Sequence, residues 1–228
     1  TPDLKRKMLA QYQKNKVPFN YAGRIEVIDN WVSLPNPIEV KENGPFNILF
    51  VGRGAPQKRV HIIAAIAEIM LNSDEAVSFT FVGDVGGFLS EKLKEKVEFY
   101  NNISDPVKLN QLYNNADILI LTSAYEGLPI VIMDAMARGK VVLSTAVDGI
   151  PDYVVHLKTG LLIVELFDET QIIKEAIDLI LLIKNNSNLK HKIGLNARQF
   201  ANEKFSKQQF ISHYSKLFNE AGLQISTS

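Results

Sequence analysis

From Phe46 onward the sequence alternates short β-branched or aromatic runs with helical patterns, and this rhythm constrains the fold more than any other feature. FNILFV, VSFTFV, KVEFY, DILIL, VVLS and GLLIV have the length and composition of strands. HIIAAIAEIML, DPVKLNQLYNN, PIVIMDAMARG and DETQIIKEAIDLILLIK carry a helical period. Strands that alternate with helices imply right-handed crossovers and a parallel sheet covered on both faces. The pattern predicts an α/β fold, a doubly wound Rossmann-like sheet of about six strands. Ligands of such sheets bind where the C-terminal ends of the strands meet the following loops and helix starts.

The flanks extend this core. Leu4, Met8, Leu9 and Tyr12 recur at helical spacing and predict an opening amphipathic helix that ends before Val17-Pro18. RIEVIDNWV reads as a strand and LPNPIEVKENGP as a turn-rich connection, while the chain closes with helices over about Leu189–Glu203 and Ser206–Ala221. Across 228 residues the chain is 46% hydrophobic and 22% charged, which suits a folded domain with a substantial core. Its 25 basic and 25 acidic residues cancel, so no polyanion-binding surface and no nucleic-acid partner are expected. The absence of Cys excludes disulfides and thiolate chemistry and agrees with a reducing cytoplasm.

Three loops after strands are candidate sites. VGRGAPQKR lacks the third glycine of the dinucleotide fingerprint, since Gln57 stands there, which argues against an NAD-dependent oxidoreductase. What remains is a turn made flexible by Gly52 and Gly54 that carries Arg53 and Lys58, two cations beside a helix start, suited to a diphosphate or simply a solvated basic loop. In VGDVGG, Asp84 is expected to cap the next helix. In SAYEGLP, Pro129 is expected at the first helical position, which puts Gly127, Leu128 and Ile130 at a helix N-terminus whose amides favour an anion. Glu126 precedes that turn, either projecting into the cleft or serving the helix dipole.

Asp134 lies within PIVIMDAMA, a helix expected to be buried nearly all round. A carboxylate there needs a partner. Arg138, four residues on, is one solution, and ligand hydroxyls such as those of a ribose are the other. His61, His156, His191 and His213 show no metal-ligand spacing, and no serine-hydrolase elbow, zincin or Walker pattern is present.

Taken together, these motifs resemble the C-terminal, donor-binding domain of GT-B retaining glycosyltransferases, glycosyltransferase family 4. The most specific stretch is SAYEGLPIVIMDAMARGKVVLSTAVDGIPDYVVHLKTGLLI, which is similar to the family's signature of two acids eight positions apart, here Glu126 and Asp134. The resemblance implies that Glu126, Arg53 and Lys58 are catalytic, the basic pair acting on the donor diphosphate and Glu126 on the donor sugar. It implies further that Gly52, Asn102 and Ile103, Gly127, Leu128, Pro129 and Ile130, and Asp134 bind the nucleotide sugar. A UDP-sugar is the favoured donor and a GDP-sugar the second choice, with no metal required. Asp134 and Asp152 each stand where the family usually has Glu, Asn101 where it has Gly, and Asp148-Gly149 where it has Gly-Gly.

The resemblance also sets expectations about organisation. Residues 1–22 form the remnant of an interdomain helix or linker, 23–185 the Rossmann-like donor domain, and 186–228 the C-terminal helices. A glycan or lipid-linked acceptor, in surface polysaccharide synthesis, is expected to bind a second, N-terminal domain that this chain lacks, so the chain alone is expected to transfer little sugar. The full-length enzyme is expected in the cytoplasm, peripherally at the inner face of the membrane. A nucleotide-sugar epimerase and a non-catalytic nucleotide-binding module are the alternatives.

Overall fold

A computed structural model describes residues 1–17, 25–35, 44–73 and 76–220. Six strands form one parallel sheet: β1 (Phe46–Val51), β2 (Val77–Val82), β3 (Glu98–Tyr100), β4 (Ile118–Leu121), β5 (Val141–Thr145) and β6 (Leu161–Ile163). Their spatial order is β3-β2-β1-β4-β5-β6, the doubly wound arrangement that the alternating pattern predicts. The order in which strands are added reverses between the parallel neighbours β1 and β4. A ligand crevice is expected there, outside the strand ends.

Period-two alternation along each strand divides the apolar side chains between two layers. Ile48, Phe50, Phe79, Phe81, Ile118, Ile120 and Leu143 face α2 (Val60–Leu71) and α6 (Glu169–Lys184). Leu49, Val82, Leu119, Leu121 and Val142 face α4 (Pro106–Asn115), α5 (Ile130–Ala137) and α7 (Ser187–Lys204). Both faces are thereby covered, which is why the strands read as nearly continuous apolar runs. Removing a fully buried side chain such as Ile120 costs about 2–5 kcal/mol, through lost transfer energy and the cavity left behind.

The four-residue helix α3 (Glu91–Lys94), capped by the Ser90 hydroxyl, adds Leu93 to the core, while α1 (Pro2–Lys14), the expected opening helix, buries none of its residues. Helix α8 (Lys207–Glu220) ends the described chain and buries none of its residues. The helices α7 and α8 match the predicted C-terminal pair within two residues, except that Ala221 lies outside the described residues.

One predicted element is absent. Residues 25–32 form no strand; instead the Val32 N–H donates to the Phe205 carbonyl at 3.0 Å, and the Tyr153 hydroxyl donates to the Asp29 carboxylate. The segment carries an apolar strand pattern, but its hydrogen bonds go to the end of α7 and to side chains rather than to a sheet edge. The turn-rich connection expected over residues 34–45 lies largely outside the described residues.

Candidate functional site

The loops that follow β1 and β4 meet across the switch point and are tied together by side chains. Gln57 Nε2 donates to the Tyr125 carbonyl at 2.6 Å, and the Ala124 N–H donates to the Gln57 carbonyl at 2.8 Å. The guanidinium of Arg59 donates to the carbonyls of Thr122 (2.7 Å), Ser123 (3.0 Å) and Leu166 (2.8 Å). Arg59 holds a left-handed backbone (φ 45°), which turns its side chain back over the strand ends. Burial draws its pKa down, and the carbonyl fork accounts for why it nonetheless resides there. Sequence alone assigns Arg59 no role, because a cation beside Lys58 carries no separate signal.

Lys58 and Glu126 form an ion pair across the two loops, with side chains only 14% and 9% exposed. Each charge compensates the other in a position where either alone would be costly. Arg53, on the same loop as Lys58, is exposed, and its guanidinium has no hydrogen bond or ion pair to any described residue. The two predicted cations thus stand in different states, one paired and one open to solvent.

The glycines of this loop are there for close packing. A Cβ on Gly54 would meet the Asp84 carbonyl oxygen at 1.9 Å, and one on Gly83, whose φ is 128°, would meet that of Gly52 at the same distance. The predicted flexible turn is in fact a tight junction between the loops after β1 and β2. Asp84 caps no helix: it is exposed, and the next full helix takes its cap from Ser90. The local geometry explains this, because the 3-10 turn Gly86–Phe88 intervenes and starts at Val85.

Helix α5 begins one residue later than predicted, with Pro129 as its N-cap and no side chain capping it. No described group accepts from the N–H groups of Gly127, Leu128 or Ile130. These amides and the helix dipole make a neutral anion cradle, with space around Gly127 and with Ile130 54% exposed. The helix is therefore buried along its later turns only, through Ile132, Met133, Ala135, Met136 and Ala137.

Asp134 takes the local solution: Arg138 Nη1 donates to its Oδ1 at 2.9 Å. Burial raises the Asp134 pKa, and Arg138 pulls it back. No described group donates to Oδ2. Arg138 also lies over the Tyr113 ring and donates to the Asn110 side chain. Asn102 is exposed in the loop after β3, and the half-buried Ile103 packs on the core beneath it. The structure thus brings Lys58, Glu126 and the α5 amides together, with Arg53 on the same loop; Asn102 and Ile103 follow the edge strand β3, and Asp134 lies within α5.

A cleft of about 350 Å³ opens among the loops after β4, β5 and β6, bordered by Arg59, Ala124, Asp148 and Phe167. A smaller hollow of about 120 Å³ between α2 and α3 involves Glu68, Asn72 and Lys96 near the far end of α2, away from the strand termini. Among the described residues no group of three or more His, Asp or Glu side chains is arranged to hold a metal ion, and no helix is long and apolar enough to cross a membrane.

The six-stranded 3-2-1-4-5-6 sheet with its flanking helices matches one half of the GT-B fold of solved glycosyltransferase structures. Residues 36–200 match the family described as glycosyl transferases group 1, and the chain belongs to that family. It is similar to the uncharacterized glycosyltransferase MJ1178 of Methanocaldococcus jannaschii, with 30% identity over 93% of this chain and 58% of that protein. The capsular polysaccharide biosynthesis glycosyltransferase CapM of Staphylococcus aureus shares 26% identity over 78% of this chain and 47% of its own length. Among solved structures, HepE of Anabaena in complex with UDP-glucose superposes with a TM-score of 0.63, at 20% identity over 78% of this chain and 49% of that one. The chain therefore spans about half the length of the relatives it matches. It corresponds to a C-terminal GT-B half.

Proposed function

We propose that this chain is the donor-binding half of a retaining glycosyltransferase that moves a sugar from a nucleoside-diphosphate sugar to a glycan or lipid-linked acceptor. The observation that carries the reading is the open, uncapped start of α5 directly after Glu126, whose carboxylate is paired with Lys58 at the sheet's switch point. A diphosphate seated on the amides of Gly127, Leu128 and Ile130 would gain the helix-dipole interaction, worth about 0.3–2 kcal/mol, and hydrogen bonds from otherwise unpartnered donors.

In this reading Arg53, Lys58 and Glu126 act on the reacting atoms. As the bond between the sugar's anomeric carbon and the phosphate oxygen breaks, negative charge grows on the leaving diphosphate. Arg53 supplies a planar fork, Lys58 a point charge and α5 its amides to that charge as it forms. The Glu126 carboxylate, held by Lys58, orients the sugar. Gly52 lets the diphosphate approach the first loop, Pro129 shapes the turn, Asn102 and Ile103 border the base, and Asp134 offers its free Oδ2 to the ribose hydroxyls. UDP is the favoured nucleotide, supported by the UDP-glucose complex of HepE, and GDP is the second choice.

The acceptor is selected by a domain beyond this chain, consistent with the half-length match to relatives, and surface polysaccharide is the favoured product class given the name of CapM. Residues 1–22 then belong to the interdomain connection, 23–185 to the donor domain and 186–228 to helices that pack on it or on the second domain. The full-length enzyme works in the cytoplasm at the inner membrane face. The testing experiment is a calorimetric titration with UDP, GDP, ADP and NAD: selective binding of one nucleoside diphosphate is expected, and binding of NAD alone would point to different chemistry.

A further inference from the structure

Asp148 is the turn residue after β5 with a left-handed backbone (φ 43°), a conformation that non-glycine residues adopt only when their surroundings compensate for it. The compensation is visible. Its Oδ2 accepts the Glu126 N–H at 2.8 Å and its Oδ1 accepts Lys7 Nζ of helix α1 at 2.6 Å, with the side chain 30% exposed. The following N–H, of Gly149, donates to the Glu126 carbonyl at 3.4 Å. Both backbone polar groups of Glu126 are thus held by the Asp148-Gly149 turn, while its carboxylate is held by Lys58.

Helix α1 is anchored to the same edge by a second carboxylate. Asp152 accepts the Asp3 N–H at 2.8 Å and Arg6 Nη2 at 2.9 Å, and Lys7 is shared with Asp3 at 2.8 Å. A glycine at position 148 would satisfy the backbone geometry without strain but would offer neither bond. The aspartate therefore joins two groups that a glycine in the same turn would leave unconnected.

We propose that Asp148 is a positioning residue that transmits the placement of helix α1 to Glu126, through Lys7 on one carboxylate oxygen and the Glu126 amide on the other. Its functional consequence rests on the donor-site reading of Glu126: when α1 shifts, the acid facing the donor sugar shifts with it. Lys7 also pairs with Asp3 within α1, but it reaches Glu126 through Asp148, so toward Glu126 the two side chains act as one unit.

The test is a double-mutant cycle on the full chain with Lys7→Ala, Asp148→Gly, Asp148→Asn and the Lys7→Ala/Asp148→Gly pair, read in two ways. Without ligand, the backbone amide resonance of Glu126 is expected to move in Lys7→Ala and in Asp148→Gly, and to show no further movement when the two are combined. With UDP-glucose as probe, Asp148→Gly is expected to bind roughly three- to tenfold more weakly. Asp148→Asn, which tolerates that backbone and keeps an acceptor for the amide, restores most of the affinity. A Glu126 amide that ignores Lys7→Ala, or that moves equally in the presence and absence of Asp148, overturns the proposal. If wild-type protein fails to bind UDP-glucose, the donor reading falls, while the ligand-free resonance still decides the coupling.

Discussion

The ammonium of Lys58 is bonded to the carboxylate of Glu126 across the loops that follow the paired strands β1 and β4, and the pair is nearly closed to solvent. Removing one member strands the other. Lys58→Ala is expected to destabilise the chain by about 3 kcal/mol, whereas Lys58→Met combined with Glu126→Leu returns it to within about 1 kcal/mol of wild type. Urea unfolding of the three proteins checks this. A double variant no more stable than the single one would contradict it.

Arg59 gives a second stability prediction. Its fork reaches carbonyls after β4 and after β6, so it joins loops that no other described side chain connects in this way. A lysine can keep the charge but cannot place three donors at once. Arg59→Lys is expected to cost about 2 kcal/mol, discounted for partial exposure, and so to lower the thermal midpoint by about 5 °C.

The glycine predictions separate packing from flexibility. Gly83→Ala forces a methyl into the Gly52 carbonyl at a positive φ, and a loss of at least about 2 kcal/mol is expected. Gly87→Ala, with nothing within 4 Å and no positive φ, is expected to stay within about 0.5 kcal/mol of wild type. Equal effects in thermal denaturation would mean that the junction between the β1 and β2 loops tolerates displacement.

Three carboxylates should titrate out of order. Burial raises Asp134, so its contribution to stability is full at low pH, below its unfolded value, and is lost as pH rises through the raised value. Asp148 is lowered, first by Lys7 and then by the Glu126 amide against an opposing burial cost, and Glu165 is lowered by the amides of Phe167, Asp168 and Leu166. The stability these two supply is present above their unfolded values and is lost as pH falls through the lowered ones. Carboxyl-carbon titration by NMR is expected to give Asp134 a midpoint above the ordinary Asp value of about 3.9, and Asp148 one below it.

The sheet was legible because its signal is repetitive: FNILFV, VSFTFV and DILIL are apolar on both faces, and only a parallel, doubly covered sheet accommodates such strands. RIEVIDNWV carried the same local signal and was misleading, since a strand also needs a sheet edge and residues 25–32 find helix ends and side chains instead. At the site, Lys58, Glu126 and the α5 turn were readable as residue types next to strand ends. Their pairing was not, because it joins positions 68 residues apart. Asp148 was visible only as a departure from Gly-Gly; its link between Lys7 and Glu126 depends on a turn that local sequence does not specify.

If a diphosphate is held between the first loop and the start of α5, titrating UDP and uridine into wild-type protein and into Arg53→Ala separates the phosphate contact from the nucleoside contact. The Arg53 guanidinium has no partner among the described residues, so its removal should leave the fold intact. Arg53→Ala is expected to weaken UDP by about ten- to a hundredfold, the worth of a charged hydrogen bond, while uridine binding is unchanged. An equal loss for UDP and uridine, or UDP binding indifferent to Arg53, would contradict it.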